Sequence, residues 1–217
     1  MARLRLIVWM PVLLAAGCAH HRRVPLLDAA ARGDAQAVEA QLARGAYANQ
    51  RDANGLTALI LSARAGAVPA IQALLRHGAD PNLPGGVNGW TPLLHAVHKN
   101  QPAAVEALLD GGAQLESRGR SGETALMMAA GYGYTPLVEL LLARGANPRA
   151  TTPDGFNALA AALGGVPDLD HFTMGSCQSE TVHALKRKDP GLRLPHNLWA
   201  RVAQVSGGVA KLRGCSY

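Results

Sequence analysis

The pair Gly-Ala recurs at positions 45–46, 78–79, 112–113 and 145–146, at intervals of 33 or 34 residues. A second glycine keeps the same period at Gly55, Gly89, Gly122 and Gly155, and after it come LTAL, WTPL, ETAL and FNAL. Two landmarks holding one period over four copies leave little room for any fold but a stack of like units. A unit this short cannot bury its own apolar face, so its neighbours must supply the core. The runs IQALLRHGA, VEALLDGGA and VELLLARGA end on the Gly-Ala pairs and space their apolar residues as a helix does. The period therefore predicts an all-α, helical solenoid.

Composition agrees. The chain is 48% hydrophobic but only 4% aromatic, which suits short helices packed through Ala and Leu better than a mixed core filled by rings. Thr57, Thr91 and Thr124 stand where a helix begins and are expected to cap free amides, with Pro92 preset for the first turn. Val105, Leu108 and Leu109 mark the buried face of a second helix, and Gly78, Gly112 and Gly145 close such helices with left-handed backbone. Small residues such as Ala96, Ala129 and Ala130 let adjacent repeats approach.

The segments HGADPN, GWTPLLHA and TPLVELLLARGANP resemble ankyrin repeats over about residues 26–166. The resemblance implies about five repeats of helix-turn-helix with hairpin fingers, the first and last atypical. The first begins at LLDAAARGD, without a leading hairpin, as an N-terminal cap does. The third finger, PNLPGGVNG, is one residue longer than its counterpart before Gly55. Arg149 replaces the asparagine found at Asn49 and Asn82, so the finger from Arg149 to Asp154 is expected to differ in shape. In the family's TPLH pattern histidine follows leucine directly; here Leu94 takes that place and His95 reads as an inner-helix residue of the stack.

The ends are different. MARLRLIVWMPVLLAAGC has two arginines, an apolar run too short to span a bilayer, and small residues before a cysteine. It resembles a bacterial lipobox, with Ala15 where leucine is usual and Leu14 one place earlier. The resemblance implies a signal peptide at 1–17, lipidation of Cys18, a tether at 18–25 and, from Ala19, an outer-membrane destination facing the periplasm. His20, His21, Arg22 and Arg23 read as a solvated tether rather than a metal or lipid site. Residues 167–217 lack the repeat pattern and read as a helical C-terminal cap: a loop over Pro167–Ser176, a helix over Ser179–Lys188 stopped by DPG, and another near Leu198–Val205. Cys177 and Cys215, the cysteines remaining in an oxidising compartment, read as a disulfide. The competing reading is a Cys-His nucleophile. DLDH (168–171) reads as a polar loop in preference to a metal cluster, and no cofactor or metal is expected.

These readings converge on a membrane-anchored, monomeric module that binds a protein partner through a concave surface of finger tips and inner helices. The +6 formal charge is mild and unclustered, which argues against nucleic acid. The partner would be tethered, protected or inhibited; an immunity protein against a periplasm-delivered toxin is a specific variant. An enzyme built on Cys177, His171 and Asp168, or a purely structural envelope protein, are the competing classes. The residue after each hairpin glycine, Leu56, Trp90, Glu123 and Phe156, is expected to face the groove, outside the core. Trp90 there either packs on the neighbouring finger or anchors a partner. The inner helices add Arg64, His98, Lys99 and Tyr132, and the tips add Asn54, Asn88, Arg120 and Ser121.

Overall fold

The computed structural model describes residues 25–164 and 178–194. The leader, Cys18, residues 168–171, Cys177, the helix expected at 198–205 and Cys215 lie outside the described residues. Within them the chain forms five helix pairs: α1 (Pro25–Ala31) with α2 (Ala35–Ala43), α3 (Ala58–Ala65) with α4 (Val68–Arg76), α5 (Pro92–His98) with α6 (Pro102–Asp110), α7 (Ala125–Tyr132) with α8 (Thr135–Ala143), and α9 (Ala158–Gly164) with α10 (Ser179–Lys188). The first helix of each pair packs on the first helix of the next, and the second on the second, giving an inner and an outer column. This is the all-α repeat solenoid that the period predicts.

The local signals act as expected, with one exception. The hydroxyls of Thr57 and Thr124 accept hydrogen bonds from the Ile60 and Met127 amides, each at 3.3 Å. Thr91 does not cap. Pro92 already presets that first turn, and the Thr91 hydroxyl instead bonds Ser117 at 3.0 Å. Gly78, Gly112 and Gly145 have φ of +81°, +90° and +93°, the left-handed closure that L-residues resist. The core is largely leucine and alanine, with Leu59, Leu93, Leu126 and Leu159 of the repeated motif all nearly inaccessible.

The helix predicted over 179–188 forms with those bounds, and it completes the fifth pair. Gln178 shows why it belongs there. The backbone at Gly66, after α3, lies against the side chain of Gln101, the residue before α6; Gly133, after α7, lies in the same way against Gln178. Thr135 then meets Thr181 at 2.8 Å, and Arg187 pairs with Glu139 across the outer column at 2.7 Å. Two or three residues join the helices within the earlier pairs, whereas residues 165–178 separate α9 from α10.

One position per repeat ties each unit to the next. Asn49 donates to the Gly78 carbonyl and accepts from the Asp80 amide; Asn82 does the same with Gly112 and Gln114. Glu116 accepts from the Asn147 amide at 2.8 Å. Arg149, at the fourth such position, forms a two-point ion pair with Asp189. The finger that follows Arg149 keeps the ordinary shape, contrary to expectation: Thr152 donates to the Phe156 carbonyl, as Asp52 does to Leu56 and Gly119 to Glu123. The substitution changes the joint and leaves the hairpin intact.

Candidate functional site

Fingers two and four are braced by arginine. Arg51 Nη1 donates to the carbonyls of Gly55 and, one repeat on, Pro84; Arg118 repeats the arrangement with Gly122 and Thr151. The third finger differs because of its extra residue. It closes from Gly85 N–H to the Trp90 carbonyl, one residue wider than the others, with Gly86 and Gly89 both at positive φ. The longer tip holds Val87 at 82% exposure.

A cleft of about 290 Å³ opens between the second and third fingers. Finger two contributes Asn54 and Leu56; finger three contributes Gly86, Val87, Asn88 and Trp90; Arg64 of α3 and His95 and His98 of α5 complete the lining. Six of the residues expected at a partner surface, Asn54, Leu56, Arg64, Asn88, Trp90 and His98, thus converge on one concavity. Arg120 lies over Gly89, its amide donating to the Asn88 carbonyl at 3.1 Å. Lys99 follows as the C-cap of α5. Ser121 is exposed at the fourth fingertip, and Phe156 is half-buried in the fifth finger, away from the cleft.

Trp90, His98 and Tyr132 are not exposed. Trp90 is 8% accessible, and its Nε1 donates to Glu123 Oε1 at 2.5 Å on the next finger. Its ring packs on His98 at 5.0 Å and on His95 at 5.5 Å; His98 shares a 3.0 Å hydrogen bond with the Tyr132 hydroxyl, and Tyr132 stacks on Tyr134. The expectation that position 90 stands outside the core is therefore corrected. Of the two roles open to Trp90, packing on the neighbouring finger is observed, and one part of the residue still lines the cleft. The pairing was visible in retrospect: a donor-bearing indole and a carboxylate occupy equivalent positions 33 residues apart, and equivalent positions touch in a stack.

His95 forms the floor. It is 5% exposed, its Nε2 lies 3.4 Å from the Gly85 carbonyl, and Nδ1 has no partner among the described residues. Burial pulls its pKa down to about 4, assisted by nearby Arg64, His98 and Lys99 and opposed by the Gly85 carbonyl. The imidazole is therefore neutral at pH 7. A base with a depressed folded pKa stabilises fully above its unfolded value near 6.5 and loses that stability as pH falls towards 4. We expect acid to destabilise the fold by on the order of 3 kcal/mol more in wild type than in His95→Gln. Denaturant unfolding of both proteins at pH 7 and pH 4 measures it, and parallel curves would show that His95 is not the group responsible.

Two ankyrin-repeat family profiles match the chain, one described as three copies over residues 26–119 and one as many copies over residues 108–161. The chain is 39% identical over 97 residues to the B-cell lymphoma 3 protein homolog of Mus musculus, covering 45% of this chain and 22% of that protein. It is 31% identical over 198 residues to ankyrin repeat domain-containing protein 63 of Homo sapiens, covering 88% of this chain and 49% of that one. The chain thus spans at most about half the length of these curated relatives. With the period, the paired helices and the fingers, these matches place the chain in the ankyrin-repeat family. Ankyrin repeats are protein-interaction units, typically without catalytic activity of their own. Among the described residues no group of three His, Cys, Asp or Glu side chains is placed to hold a metal ion, and no helix is long and apolar enough to cross a membrane.

Proposed function

We propose that this chain is a lipid-anchored ankyrin module of the bacterial envelope that holds a protein partner against its concave face, tethering, protecting or inhibiting it. The observation that carries the reading is the cleft, where two fingers and two inner helices bring Asn54, Leu56, Arg64 and Asn88 to one accessible concavity. The anchor rests on LLAAGC and the small residues before Cys18. A lipoprotein-type modification supplies several acyl chains, enough for stable attachment where one chain is marginal.

The partner surface is tested with a photo-crosslinking residue placed at Asn54, on a fingertip, or at Gln72, exposed on outer helix α4. Partner adducts from position 54 and none from 72 are expected; the reverse pattern refutes the concave reading. The anchor is tested separately. Cys18→Ser is expected to move the protein out of the membrane fraction, and mass spectrometry of the wild type to find acyl groups on Cys18. An unmodified mature N-terminus rules the anchor out.

A further inference from the structure

We propose that the cleft between the second and third fingers receives an acidic segment of the protein partner, with a carboxylate held by Arg64 and flanking backbone held by the Asn54 and Asn88 side chains. This rests on the concave-face reading and names the chemistry of what binds there.

Charge pairing differs between the two faces. On the outer column three arginines are neutralised across repeats: Arg76 with Glu39, Arg144 with Glu106 and Asp110, Arg187 with Glu139. Around the cleft, Arg64 and Arg120 are exposed and Lys99 half-buried, and none has a carboxylate partner among the described residues. Among the described residues no Asp or Glu lines the cleft; in the flanking fingers the Asp52 carboxylate accepts from the Asn54 and Leu56 amides and Glu123 from the Trp90 indole. The floor, His95, is neutral, so the positive field comes from the rim. A guanidinium at the rim of a partly desolvated concavity is a strong site for a carboxylate, because it donates two parallel charge-assisted hydrogen bonds.

Shape points the same way. At about 290 Å³ the cleft holds one or two side chains, too little for a helix or a duplex. Asn54 and Asn88 each present a donor and an acceptor, which suits a peptide backbone. The lengthened third finger adds Val87, an exposed aliphatic contact beside the charged one. Acidic and apolar residues in alternation would satisfy both.

The test measures fluorescence anisotropy of a labelled, end-blocked decapeptide alternating Glu and Leu, titrated with the full chain. Saturable binding is expected, weakened about tenfold or more in Arg64→Gln, only partly restored in Arg64→Lys, which keeps the charge but loses the two-point geometry, and unchanged in Arg76→Gln on the convex side. Equal affinity for the Gln-Leu or Lys-Leu peptide, or no effect of Arg64→Gln, overturns the proposal. Tighter, Arg64-dependent binding of single-stranded DNA or anionic phospholipid vesicles also overturns it. The crosslinks separate this proposal from the reading beneath it. Adducts at position 54 whose partner peptide lacks Asp and Glu sink the acidic segment alone; adducts only at position 72 sink the concave face itself.

Discussion

Trp90→Ala is expected to lower folding stability by about 3–5 kcal/mol, the range for deleting a buried aromatic side chain. The indole is 8% exposed and touches both His95 and His98. Removing it leaves a cavity where the third and fourth repeats meet, and also strands Glu123. That carboxylate's Oε2 is already buried without a partner, so its bond to the indole, 2.5 Å long, is its compensation. Leaving a buried charge unpaired is among the costlier single changes. Trp90→Phe separates the two effects, since it keeps most of the packing and removes the donor; about 1.5–3 kcal/mol of the loss should remain. Glu123→Leu in the Trp90→Phe background should then recover part of it. Urea unfolding followed by circular dichroism checks the series. A Trp90→Ala protein within 1 kcal/mol or so of wild type would mean that the ring is held less firmly than its burial indicates.

Leu93→Ala is expected to cost about as much, towards the upper end of 2–5 kcal/mol. Leu93 has no accessible surface, and it sits on α5, which packs against both α3 and α7. In a stack whose stability is a sum of unit and interface terms, a lesion in the middle repeat weakens two interfaces. Leu159 is the same residue of the motif, also buried, but lies on α9, the last inner helix of the described stack. Leu159→Ala should therefore destabilise less than Leu93→Ala. Equal losses would argue that the fold melts as one indivisible unit and not as a series of coupled repeats.

The fold was legible because a repeat states its instructions several times. Thr57 and Thr124 cap as their positions predict, Gly78, Gly112 and Gly145 close helices in the left-handed conformation, and the helix at 179–188 has the expected bounds. What a single repeat contains could be read from that repeat. The site was less legible, because its decisive contacts run between repeats. Nothing within GWTPLLHA shows that Glu123 will reach the Trp90 indole, or that His98 will share a hydrogen bond with Tyr132. Thr91 failed as a cap for a similar reason: Ser117, from the next repeat, takes its hydroxyl. Arg149 in place of the asparagine at Asn49 and Asn82 predicts a finger of different shape, whereas its role is set by Asp189, forty residues on, which no feature of the finger itself shows. The extra residue in the third finger is visible in the sequence, but that the tip it lengthens lines a cleft depends on the finger beside it.

The joints between repeats also differ in kind. The first two are neutral carboxamides on backbone groups, through Asn49 and Asn82, while the last described one is the Arg149–Asp189 ion pair, with the arginine side chain two-thirds exposed. Neutral hydrogen bonds are nearly indifferent to added salt, whereas an exposed ion pair is screened once the Debye length shrinks to a few ångströms. Added salt therefore weakens the Arg149–Asp189 joint at α10 while leaving the Asn49 and Asn82 joints as they are, and amide exchange in concentrated salt should quicken more in α10 than in α3.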